Sequence, residues 1–264
     1  MEKPRIMDDS KRLAELAAGQ EQTIAGYVLA DGRRVWLRKA GKRNAAWRYA
    51  LLGTAAKWLR LSVLTPVPNV GGKAGIATEA ARLRELAAAG IAAPKLLAVQ
   101  EDALLMSDAG GNTLLHHIEQ EAQAGSLAGW QRGLAAIGGV HAKGQFLSQA
   151  FARNIVVAAD GSIAFIDFED NPAAVLPRAQ CQARDWLCYL HSTALVLHEH
   201  GLLAQAVPVW RQYWAAMPDE VRRHIAQGLR PIGWMRGLRH PRWGRDTLRL
   251  AALAELGRAA AGRS

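Results

Sequence analysis

Cysteine is almost absent from this chain: among 264 residues only Cys181 and Cys188 carry thiols, seven apart in a predicted helix. That leaves neither a disulfide framework nor a zinc cluster to read. The first ten residues lack the basic start and apolar core of a secretory signal. No apolar run approaches the roughly 18 residues that a membrane-crossing helix needs; the nearest, 50–67, is broken by Lys57, Arg60 and Pro66. Internal repeats, low-complexity tracts and recognisable nucleic-acid modules are missing as well. These absences predict a cytoplasmic protein, peripheral to a membrane at most.

What is present is a half-hydrophobic composition, enough for a substantial core in one domain or two lobes, and a formal charge of +10. Such a charge points to an anionic partner: nucleic acid, nucleotide, membrane surface or phosphorylated glycan. Across 41–75, Lys42, Arg43, Arg48, Lys57 and Arg60 interleave with Trp47, Tyr49, Trp58 and several leucines, without an acidic residue. This pattern suits a segment lying on an anionic membrane surface, or one packed on its own domain with the charges in solvent. The stretch 222–245 is again basic and Trp-rich, with Trp234 and Trp243. Basic residues placed among Trp and Leu in this way follow an interfacial helix rather than a nucleic-acid module.

The most informative stretch is 153–169. Two β-branched apolar runs flank Asp160-Gly161, which predicts a hairpin with a two-residue turn. Such a turn sets Asn154 opposite Asp167, with Cβ atoms roughly 5 Å apart. Two oxygen ligands at that separation can hold a small hard cation such as Mg²⁺; the bland alternative is a pair of strand-end residues bonding local backbone. The unbroken run Ile163 to Ile166 predicts a strand with little exposure on either face, and the acidic cluster ending it, Asp167 to Asp170, then needs a cationic partner.

Earlier in the chain, 22–30 and 33–40 read as strands joined by Asp31-Gly32. Val35, Leu37 and Lys39 alternate onto one face, Trp36 and Arg38 onto the other. A helix is predicted over 78–89, with Thr78 as cap and Glu79 in its first turn, where the plain role of Glu79 is to complement the helix dipole. A strand pair follows at 94–99 and 103–106, then a loop of small residues, Ser107-Asp108-Ala109-Gly110-Gly111. Helices are predicted over 113–124, 127–140, 180–200, 202–217 and 218–229. His191, His198 and His200 have no carboxylate motif of metal-binding spacing and read as packed or surface histidines.

This order of elements resembles the protein-kinase-like fold, and more closely the bacterial lipopolysaccharide-core (heptose and Kdo) kinases and aminoglycoside phosphotransferases, over about 22–200. The resemblance implies an α+β, two-lobed fold. Its small antiparallel-sheet N-lobe would span 1–106, with 41–75 as a basic aromatic insertion, and its mainly helical C-lobe would span 107–264 and carry the hairpin. It implies ATP and Mg²⁺ as cofactors. Lys39 takes the place of the phosphate-holding lysine, or Arg38 if the strand register differs by one. Glu79 becomes its helix partner, Ser107 and Asp108 the nucleotide-side hinge, Asn154 and Asp167 the metal ligands, and Arg184-Asp185 the structural Asp motif. The implied activity is transfer of phosphate to a sugar hydroxyl of lipopolysaccharide core or a related glycolipid. Two departures stand out. No Gly-rich phosphate loop precedes the first hairpin, and the catalytic base position, five residues before Asn154, holds Gln149. An amide accepts no proton at neutral pH, and losing a positioned base typically costs on the order of 10²- to 10⁴-fold. The alternative reading is therefore a pseudokinase, a regulator or scaffold that keeps nucleotide binding, while Asp170 is a carboxylate that could substitute for the base, at a place the sequence does not fix.

Overall fold

The structure, a computed structural model, describes residues 8–41 and 71–260. The basic aromatic stretch expected at 41–75 falls almost wholly outside the described residues. The fold is α+β, an antiparallel sheet followed by a mostly helical remainder. Helix α1 (Asp9–Gly19) starts at Asp8, whose carboxylate accepts from the Ser10 amide. Strands β1 (Ile24–Val28) and β2 (Arg34–Lys39) come next, then α2 (Gly72–Ala88), β3 (Leu96–Val99) and β4 (Ala103–Ser107), giving a sheet of order β1-β2-β4-β3.

The two-residue side-chain period of β4 divides the molecule's interior. Ala103 and Leu105 face one way and join Leu13, Val35 and Leu37 beneath α1. Leu104 and Met106 face the other way and join Ile76, Leu83 and Leu86 of α2. The second group is continuous with the apolar interior of the helices that follow, so the main core runs unbroken past the expected boundary at 106.

The chain then forms a short sheet, β5 (Asn112–Thr113) with β6 (Ile155–Val157) and β7 (Ile163–Phe165). Helices α3 (Leu114–Gln123), α4 (Ala128–Ala142), α5 (Arg178–Glu199), α6 (Leu203–Ala216), α7 (Asp219–Leu229) and α8 (Arg245–Ala260) make up the rest. Helix α5 is the central post and packs against each of the other five. Its Tyr189 hydroxyl donates to the Trp130 carbonyl at 2.7 Å, and Trp130 Nε1 donates to Thr193 Oγ1 at 3.1 Å. Gly133 makes that approach possible, because a Cβ there would stand 2.2 Å from the Tyr189 oxygen. Each large apolar side chain buried along α5 contributes about 1.5–3 kcal/mol relative to exposure.

Two expectations about local structure change. Helix α2 begins at Gly72, two turns before Thr78, so Glu79 lies mid-helix and buried rather than in a first turn. Both hairpins also turn through three residues instead of two. At 159–161 the Gly161 amide donates to the Ala158 carbonyl and the Ala158 amide to the Ser162 carbonyl, with Gly161 left-handed at φ 81°. Residues 30–32 repeat this with Gly32, also at φ 81°. The loop is a type I turn closed by a glycine bulge, a common three-residue hairpin. Asp160 and Asp31 reinforce it by accepting from the amides of Ser162 and Arg33. The added loop residue shifts the register by one, pairing Val157 with Ile163 and Ile155 with Phe165.

Candidate functional site

A cleft of about 530 Å³ opens between the four-stranded sheet and the β6–β7 hairpin. Its apolar walls include Ile24 and Trp36 from the sheet, Leu83 from α2, Met106 from β4, and Val156 and Ile166 from the hairpin. Its polar end gathers Arg38, Glu79, Asn154, Asp167 and Glu169. An apolar cavity with a few convergent polar groups at one end is the general form of a small-molecule site.

The register shift would by itself have turned Asp167 away from Asn154. Ile166 continues the ladder by donating to the Asn154 carbonyl at 2.9 Å. Asp167 then takes a left-handed backbone, φ 71°, which carries its side chain back so that Asn154 Nδ2 donates to Asp167 Oδ2 at 3.3 Å. Among the described residues only one other non-glycine has positive φ, Ser148 at 73°, immediately before Gln149. Strained backbone of this kind costs on the order of 1–3 kcal/mol and concentrates at functional sites. Here both instances flank the same few side chains.

Arg38, not Lys39, reaches this end of the cleft. Its guanidinium pairs with Glu79 at 2.9 Å and with Glu169, and lies 4.0 Å from Asp167. Lys39, on the α1 face of β2 with Val35 and Leu37, donates Nζ to the carbonyls of Ala17 at 2.9 Å and Gln20 at 2.8 Å. It caps the C-terminal end of α1, where a cation complements both the unpaired carbonyls and the helix dipole. Strand alternation had set these two faces correctly; the cleft lies against the Trp36–Arg38 face. Ser107 is also corrected. Its hydroxyl accepts from the Lys95 amide at 2.9 Å and does not line the cleft, whereas Asp108 does and accepts from Trp36 Nε1 at 2.9 Å.

Gln149 sits behind the acidic end of the cleft. Its carbonyl accepts from Asn154 Nδ2 at 3.2 Å, and its own amide nitrogen donates to Asp170 Oδ2. Asp170 is buried, and its second oxygen, Oδ1, has no hydrogen-bond partner. The segment carrying Gln149 is fixed from two sides. Asp185, fully buried in α5, accepts from the Leu147 amide at 2.7 Å and contacts His141 Nε2 at 3.0 Å. Arg82, buried in α2, donates to the Phe146 carbonyl at 2.7 Å while its guanidinium stacks on the Phe146 ring.

The carboxylates here are under electrostatic stress. Burial raises the pKa of Glu79, of Asp167 and of Asp170; Arg38 opposes the shift for the first two, and the Gln149 hydrogen bond opposes it for Asp170. Four carboxylates thus share one small region of a strongly basic chain, with Arg38 bridging three of them. Among the described residues no group of three or more His, Cys, Asp or Glu side chains could enclose a metal. The donor set fits a different arrangement. Both Asn154 hydrogen bonds use the amide nitrogen, which leaves Oδ1 and the Asp167 carboxylate as hard oxygen groups of the kind that suit a small divalent cation such as Mg²⁺.

Asp170 was considered from sequence as a substitute base, whereas Arg82 and the His141–Asp185 contact were not anticipated. Arg82 carried a weak signal, one helical turn beyond Glu79. No described helix is long and apolar enough to cross a membrane. No protein-family model matches the chain, and no curated protein matches it in sequence.

Proposed function

We propose that the chain is a kinase-like phosphotransferase that binds ATP with Mg²⁺ in the cleft and transfers phosphate to a sugar hydroxyl of lipopolysaccharide core or a related glycan. In this reading the sheet is the N-lobe and the helical remainder the C-lobe of a protein-kinase-like fold. One observation carries it: Arg38, Glu79, Asn154 and Asp167 come from four separate parts of the chain and converge at the polar end of one apolar cleft.

The apolar walls suit a flat heteroaromatic base, and the polar end suits phosphates. Asn154 and Asp167 would hold Mg²⁺, which when bound neutralises phosphate charge. Arg38, held by Glu79, directs a fixed cation at the same place, and a guanidinium can contact two phosphate oxygens at once. Gln149 donates to Asp170 through its amide nitrogen, which leaves its side-chain oxygen outside that contact and able to accept from an acceptor hydroxyl. Phosphoryl transfer depends mainly on positioning and charge, which an orienting amide can serve. Asp170, which holds Gln149 and whose pKa is raised by burial, is the carboxylate assigned as proton acceptor in this reading.

The test is transfer of labelled phosphate from ATP with Mg²⁺ to lipopolysaccharide core acceptors. Transfer that depends on acceptor, metal and Asp167 is expected; absence of transfer while nucleotide still binds sinks the catalytic reading and leaves the second, a pseudokinase regulator or scaffold, which Gln149 favours. Simple restoration by Gln149→Asp is a poor discriminator, because it sets two carboxylates in contact and forces one to stay protonated. The exchange Gln149→Asp with Asp170→Asn keeps an amide–carboxylate pair and moves the carboxylate to the base position. Equal or higher turnover is expected from this double variant if that geometry supports catalysis.

A further inference from the structure

The charge of this chain is not spread over it. Between 230 and 245 there are five arginines and no acidic residue, and between 42 and 70 there are five Lys and Arg and again no acidic residue. Outside these two segments the remaining 23 basic residues are matched by 23 acidic ones, so the whole formal +10 resides in two short stretches. The second is described by the structure. Residues 230–237 and 241–243 form two 3₁₀ turns without a single buried residue, and both pack on α8. Ile232 is turned toward the core, whereas Trp234 is 70% exposed and Trp243 44%.

Single exposed apolar residues are ordinary. Two exposed tryptophans nine residues apart among five arginines are a different pattern, that of a surface which is wet at one level and apolar at the next. Some of the arginines have protein contacts. Arg239 pairs with Glu255 at 3.2 Å, Arg245 with Glu199 at 3.5 Å, and Arg242 lies over the Trp243 ring. All five nevertheless remain exposed. A groove of about 760 Å³ is lined by Arg230, Gly233 and Arg236 from this turn together with Trp214, Leu229 and Arg258.

We infer that 230–245 is a docking surface for an anionic phospholipid bilayer, in which Trp234 and Trp243 enter the headgroup layer and the arginines engage lipid phosphates, Arg230 and Arg236 from the lining of the groove. Charge complementarity selects this occupant. A protein partner would need acidic residues spaced to match, whereas a bilayer supplies diffuse negative charge over an apolar layer and satisfies both halves of the pattern. The inference does not depend on phosphotransfer and stands if the cleft proves inactive.

The test is co-sedimentation with vesicles of phosphatidylcholine alone and of phosphatidylcholine mixed with phosphatidylglycerol, at low and high salt. The full-length chain is expected to bind the mixed vesicles at low salt, with a blue shift in Trp emission, and to release at high salt. Trp234→Ala with Trp243→Ala, and separately Arg230→Gln, Arg236→Gln and Arg242→Gln together, are expected to weaken binding at least about tenfold. None of these side chains is buried, so melting and the response to nucleotide should be unchanged. Wild-type affinity in both variants would overturn the assignment and move any binding to other parts of the chain, 42–70 first. Tighter binding to duplex DNA than to the mixed vesicles at equal salt would also overturn it.

Discussion

Arg38 and Lys39 are adjacent cations with different tasks, and the difference is measurable. Arg38 compensates buried Glu79, so Arg38→Ala leaves a carboxylate in the interior without its partner, an arrangement that costs about 3–5 kcal/mol. Lys39→Ala removes a helix-capping contact worth about 1 kcal/mol. Denaturant melts should separate the two clearly, and only the Arg38 variant should lose its response to nucleotide. Asp167 illustrates the opposite balance. Its raised pKa means that the ionised form is disfavoured by folding, so Asp167→Asn is expected to leave the ligand-free protein as stable as wild type or more so. A residue that opposes the stability of the free protein at neutral pH fits a binding role better than a structural one.

The elements themselves were largely legible in sequence. Turn residues at Asp31-Gly32 and Asp160-Gly161 located both hairpins, and apolar periodicity located the helices between 113 and 229 to within a few residues, whereas α8 (Arg245–Ala260) was not predicted. Loop length was not legible, because Asp-Gly serves two-residue and three-residue turns alike. The consequence was a register shift that the left-handed Asp167 then reversed at the one position of interest. The start of α2 was also missed. Gly71 enters it through a left-handed backbone without a side-chain cap, so no Ser, Thr, Asp or Asn marks the position. The choice between Lys39 and Arg38 stayed open for a simpler reason: alternation separates the faces of β2 but does not say which face meets the other sheet. At this scale the connection through Gly111 is the vulnerable point. Gly111 has φ 76°, and a Cβ there would stand 1.7 Å from the Val157 carbonyl oxygen, so Gly111→Ala combines backbone strain with collision. A loss of about 3 kcal/mol or more is expected in chemical denaturation, against about 1–2 kcal/mol for Gly161→Ala, which has left-handed φ but open space.

Across the whole molecule, acidity and basicity are separated: the cleft concentrates carboxylates while the net positive charge resides elsewhere. Glu79, Asp167 and Asp170 all have raised pKa values, so the folded state holds their protons more tightly than the unfolded chain does. Stability of the free protein should therefore fall as pH rises from the ordinary carboxylate value through the raised ones. Melting temperature against pH, with Asp167→Asn as comparison, reads that slope, which the variant should flatten. If metal and nucleotide bind as proposed, their effect should have the opposite dependence and grow over the same interval, since a metal ligand must be ionised. The most direct test of the cleft is the melting shift produced by ATP with Mg²⁺ at neutral pH, measured for the wild-type chain and for Asp167→Asn. At ligand about a hundredfold above its dissociation constant, wild type should gain about 2.7 kcal/mol, or roughly 5–10 °C. That gain should require Mg²⁺ and be lost in Asp167→Asn; no shift in wild type, or one that persists without metal in the variant, would contradict a metal–nucleotide site at Asn154 and Asp167.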